Sequence, residues 1–179
     1  MQSLNNILSN INTIIANNTA DYDAVFHGLA VLHTQDGQTY PMTKIAAREG
    51  LKISPVDTSG LIFYHRVTDH DVDEVGGKGI ANYYFHNYTM KLVAVGHRNT
   101  LGIDFDNDDQ ANTIMNILGS NKPDGAVLQV TSRGEIDKAD VLSSEYSGNT
   151  RILTKVIDLY AFSITYNLKI RGIGENCSL

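Results

Sequence analysis

The chain has 179 residues, with 14 lysines and arginines against 20 aspartates and glutamates and a formal net charge of −6. An apolar fraction of 42% with 19% charged residues is enough to bury a core and excludes a disordered polyelectrolyte. The acidic balance disfavours tight general binding to phosphate backbones or to an anionic membrane surface. The single cysteine, Cys177, excludes an intramolecular disulfide and a CxxC metal site.

At this length one domain, 1–179, is expected. Residues 3–17 predict an amphipathic helix, with Leu4, Ile7, Leu8, Ile11, Ile14 and Ile15 on one stripe and Ser3 as its N-cap. Asn5, Asn6, Asn10, Asn12 and Asn17 fill the remaining face, and asparagine is a poor helix former, so packing must hold this helix. Residues 24–44 predict a hairpin turning at Asp36-Gly37. Residues 44–60, with Pro55 and Gly60, read as irregular, and Leu61–Thr68 as a strand of β-formers. The acidic, glycine-rich stretch 69–79 is expected to be an exposed loop, and Asn82–Arg98 a long strand with Tyr84, His86, Tyr88, Met90, Leu92 and Ala94 on one face.

A second helix is expected over 104–118, its start loaded with Asp106, Asp108 and Asp109, whose charge suits a helix N-terminus, and Gly119 can stop it. A turn at Lys122–Gly125 leads to a strand over 126–133, and 134–154 reads as a mixed connection. From Val156 to Arg171 the alternation hardly breaks: Tyr160, Phe162, Ile164, Tyr166, Leu168 and Ile170 point one way, and Ser163, Thr165, Asn167, Lys169 and Arg171 the other. Such a strand runs about 50 Å, so either a bulge bends it or its end projects and offers unpaired backbone to a neighbour. Residues 172–179 are expected to form a mobile or partner-bound tail. The expected architecture is α+β, an antiparallel or mixed sheet with helices packed on one face.

No secretory leader is predicted, since the first charge is Asp21 and the first lysine Lys44, and no apolar run approaches the roughly 20 residues of a membrane span. Synthesis in a cytoplasm is the corresponding expectation.

Chemistry-bearing patterns are sparse. His65, Asp69 and His70, with Asp71 and Asp73 nearby, form the richest set of metal-ligand types, but no HExxH helix aligns two imidazoles, and no metal is expected. Asp104-x-Asp106-x-Asp108 starts like a calcium loop but has Asp109 and Met115 where glycine and glutamate are needed. Gly76-Gly77-Lys78-Gly79 lacks the Ser or Thr of a phosphate loop, and no GxSxG elbow is present. Neither a cofactor nor catalytic residues are expected. A small metal-dependent enzyme using residues 65–73 is the alternative of a different class.

The element order, the helix 3–17, the strand 61–68, the YTMKLVAVGHRN strand at 88–99, the helix 104–118 and the closing DLYAFSITYNLKI strand at 158–170 resemble tailed-phage tail terminator and head–tail joining proteins. These are small α+β proteins that form rings at the top of a tail tube. The resemblance implies a non-enzymatic virion structural protein. Its expected partners are further copies in a ring, a hexamer first, the tail tube and the neck or connector proteins, with DNA passing through the lumen without specific binding. Another neck or tail tube ring protein of the same assembly is the nearest alternative. Residues 1–43 hold three aspartates and no lysine or arginine, whereas 151–171 hold four basic residues and one aspartate. Asp21 and Asp23 on one copy, and Tyr166, Lys169, Ile170 and Arg171 on the next, are therefore the candidate interface residues.

Overall fold

The computed structural model describes residues 3–19, 23–46, 49–55, 60–75, 83–97, 101, 106–135, 137–154 and 158–173. Helix α1 spans Leu4–Asn18, and Ser3 caps it by accepting from the Asn6 amide. Ile7, Leu8, Ile11 and Ile15 of its stripe are fully buried. Strands β1 (Ala24–Gln35) and β2 (Gln38–Ala46) form the expected hairpin, and both turn residues take positive φ, 52° at Asp36 and 74° at Gly37. The segment read as irregular carries a short strand, β3 (Glu49–Lys52), antiparallel to β2.

Strand β4 runs from Leu61 to Val75, and β5 from Tyr83 to His97. The loop expected over 69–79 is thus corrected: Asp69–Val75 is strand, paired residue by residue with β5 down to Val75 opposite Tyr83. Backbone pairing, not apolar content, holds this part, and so its Asp–His–Asp composition misled. Residues 76–79 lie outside the described residues. Helix α2 spans Asn107–Ser120, capped by Asp106, whose carboxylate accepts from the Asp108 and Asp109 amides. It begins three residues later than expected and continues through Gly119. Strand β6 is Ala126–Ser132.

The connection 134–154 holds two short helices, α3 (Lys138–Glu145) and α4 (Thr150–Leu153). Strand β7 (Leu159–Ile173) closes the described chain. It does not project alone, because all fifteen of its residues pair with β5 without a register shift. Gly172 and Ile173, expected in the tail, are its last two residues, and 174–179 lie outside the described residues.

The sheet is mixed, with order β3-β2-β1-β4-β5-β7-β6; β1 and β4 are parallel and the other neighbours antiparallel. With the helices this makes an α+β fold. The helices do not share one face. Helices α1 and α2 cover one side, over Leu61, Phe63, Met90, Leu92, Phe162, Ile164, Tyr166 and Leu168. Helices α3 and α4 cover part of the other, with Val141, Leu142, Tyr146 and Ile152 against Ile62, Tyr64, Val93, Val95, Leu159 and Ala161. The polar side of β7 is therefore wet only in its second half, and Ser163 is 0% exposed.

Bulges interrupt both β4 and β6. Thr68 is the extra residue between Val67 and Asp69, and Thr131 the extra residue between Val130 and Ser132. Each threonine hydroxyl donates to a carbonyl of the adjacent strand, Thr89 O and Thr165 O, at 3.0 Å. Among the described residues no helix is long and apolar enough to cross a membrane.

Candidate functional site

His65, Asp69 and His70 are not brought together. His65 lies in β4 under α1 and is 0% exposed. Its Nε2 donates to Asn12 Oδ1 at 2.7 Å, an assignment fixed because the Asn12 amide nitrogen itself donates to His27 O. Its Nδ1 therefore accepts from the Tyr166 hydroxyl at 2.8 Å. With both nitrogens engaged and burial depressing its pKa to about 3, this imidazole is a neutral core group. Burial likewise pushes the Tyr166 phenol well up. Asp69 is exposed on the opposite side of the sheet, in register with Thr89.

His70 shares the side of His65 but stands beyond the bulge, where it meets His86 and Tyr88. Its Nε2 lies 3.1 Å from His86 Nδ1, while the two imidazole centroids are 5.4 Å apart and the planes 7° from parallel. The difference is little more than the two radii of the five-membered groups, so the nitrogens face each other head-on across one shared hydrogen. A metal between them would need bonds of about 2.0–2.1 Å and has no room. Tyr88 stacks on His70 at 4.3 Å. Burial first, and the neighbouring His70 second, lower the His86 pKa. Among the described residues no group of three or more His, Cys, Asp or Glu is arranged to hold a metal.

The densest polar cluster lies under α3 and was not legible in the sequence. Glu145, 0% exposed, accepts from Arg66 Nη1 at 2.5 Å, Lys91 Nζ at 3.2 Å and the Tyr64 hydroxyl at 3.2 Å. Lys91 also reaches Glu135 at 2.5 Å and Ser144 Oγ at 3.2 Å. A carboxylate in the last turn of a helix opposes the helix dipole, and here two cations offset it. Burial drives both the Tyr64 and Tyr146 phenols up, and the Tyr146 hydroxyl completes no hydrogen bond among the described residues. Lys91 Nζ is engaged by Glu135 and Glu145 as well as by Ser144, so it serves the ion-pair cluster rather than a nucleophile–base pair with Ser144. The cluster pins α3 to the sheet. Its sequence signal, Arg66 and Lys91 next to the apolar stretches of β4 and β5, does not name a partner.

The interface candidates divide. Tyr166 is 0% and Ile170 6% exposed on the side of α1 and α2, so both are core residues of this chain rather than contacts for another. The alternation of β7 assigned their face correctly but not what covers it. Lys169 and Arg171 are exposed on the open half of the other side. Lys169 pairs with Asp73 of its own chain at 3.7 Å and lies 4.5 Å over the Phe85 ring. Asp23 is exposed at the start of β1, and Asp21 lies outside the described residues, as do Cys177 and Asp104. The other aspartates of that acidic start serve locally: Asp106 caps α2, and Asp108 pairs with Arg133.

The remaining feature of this region is its two borders. β1 pairs with β4 only between Leu61 and His65, so Arg66–Val75 has no strand beyond it among the described residues. β6 is the terminal strand on the opposite side. Among the described residues, the four strands β4, β5, β7 and β6 thus form an arm with an open border at each edge. No protein-family model matches the chain, and no curated protein sequence matches it.

Proposed function

We propose that this chain is a virion structural protein, a ring-forming subunit of the tail-terminator or head–tail joining kind that caps a tail tube and links it to the head or neck. One observation carries the proposal: a long antiparallel arm whose two strand borders have no partner strand among the described residues, acidic along β4 and basic on β7. Two different borders on one molecule give head-to-tail contacts, and head-to-tail contacts that close give rings. The engaged nitrogens of His65 and the head-on geometry of His70 and His86 weigh against the metal-enzyme alternative. A net charge of −6 suits a channel through which DNA slides without sticking.

Mass measurement by light scattering, with negative-stain images of the same fractions, tests the proposal. A closed ring of about six copies that binds the end of a tail tube is expected. A monomer at every concentration, absent from phage particles, overturns it.

A further inference from the structure

Rows of residues can be followed straight across the arm. Val72, His86, Ile170 and Ala126 stand in one row, and Asp71, Asn87, Lys169 and Val127 in the next. His70, Tyr88, Leu168 and Leu128 follow, then Asp69, Thr89, Asn167 and Gln129. β6 therefore stands at the height where β4 has lost β1, and the two borders, unpaired among the described residues, are level with each other. In all four rows neither border contains its bulge, since Thr68 and Thr131 fall outside them.

Strand direction matches as well. β4 and β7 run one way, β5 and β6 the other. A second copy related by rotation about an axis along the strands keeps these directions, so its β4 arrives antiparallel to β6. Charge repeats at the same interval. Asp69, Asp71 and Asp73 line one side of β4, and Lys169 already reaches Asp73 across the width of β5. Beyond β6, the acidic column of the next copy would again stand two strands from Lys169 and Arg171. Exposed apolar side chains mark both borders: Val72 is 44% exposed on β4 and Val127 65% exposed on β6.

From these matches, and resting on the ring-subunit proposal above, we infer that β6 of one copy pairs antiparallel with β4 of the next. Ala126, Val127, Leu128 and Gln129 lie opposite Val72, Asp71, His70 and Asp69, and the sheet continues from subunit to subunit. The partner is a second copy of this chain, and the contact is strand addition.

Paired cysteines test the register. In a Cys177→Ser background, Asp71→Cys and Val127→Cys are combined in one chain. Within a chain these positions are three strand spacings apart, about 14 Å, beyond the roughly 4.4–6.8 Å that a disulfide spans. Mild oxidation is expected to give a covalent ladder ending at the size of the intact assembly, whereas a mixture of the two single-cysteine chains gives dimers only. Charge provides an independent arm. Val127→Asp places a carboxylate opposite Asp71 of the neighbour and is expected to weaken self-association about fivefold per contact. Adding Asp71→Lys restores it. The thermal midpoint of the Val127→Asp monomer stays unchanged, because the side chain is exposed.

A ladder with charge rescue supports the junction. An assembly of full mass that neither cross-links at these positions nor responds to Val127→Asp overturns the junction and leaves the ring-subunit proposal standing. A chain that never associates overturns both.

Discussion

His65 illustrates what burial does to a titratable group. Folded, the imidazole holds a proton only below about pH 3, whereas in the unfolded chain it does so below 6.5. Between those values the unfolded state binds more protons, so the contribution of His65 to stability is complete above pH 6.5 and drains away as the pH falls toward 3. The loss is about 1.4 kcal/mol for each pH unit. His65→Gln abolishes that dependence. The variant is expected to be less stable at pH 7 by roughly 1–3 kcal/mol, because the Tyr166 hydroxyl loses its acceptor. Urea unfolding of the two proteins should therefore converge between pH 6.5 and 4; parallel curves would contradict the assignment. The sequence showed His65 only as a ligand-type residue near Asp69 and His70. Its actual partners, Asn12 and Tyr166, are 53 and 101 residues away, a separation that no local spacing rule reaches.

Elements with strong local signals could be read directly. The apolar stripe and Ser3 cap of α1, the Asp36-Gly37 turn and the alternation of β7 each state their structure within a few residues. Elements made by tertiary contacts could not. The outer half of β4 carries charges at alternate positions and becomes a strand through its ladder with β5. Helices α3 and α4, of 8 and 4 residues, are too short to display a period, so the second covered face went unseen. The α3–α4 turn also holds the tip of the β1–β2 hairpin. Thr39 donates its amide to Ser147 O at 2.7 Å, and Gly148, at φ 69°, leaves no space for a Cβ against Gly37 O. Gly148→Ala should cost about 1–2 kcal/mol in backbone strain alone. It should also speed hydrogen exchange at the Thr39 amide; unchanged exchange would mean that the tip is held elsewhere.

For the whole molecule, the alternation of charge along the arm predicts how assembly responds to salt. Exposed pairs such as Lys169–Asp73 contribute only about 0–1 kcal/mol to folding, so Lys169→Glu with Arg171→Glu should leave the monomer folded. The same reversal should weaken the proposed assembly, and added salt should reduce self-association of the wild type while having little effect on the variant. Equal salt responses would show that charge takes no part in joining copies. The bulges at Thr68 and Thr131 then acquire a meaning beyond local geometry. An unbroken, flat border templates endless fibrils, whereas one kinked after a few rows grips an incoming copy only briefly. In the proposed assembly each copy would thus be held over a short run of rows only, a guard against open-ended stacking of strands.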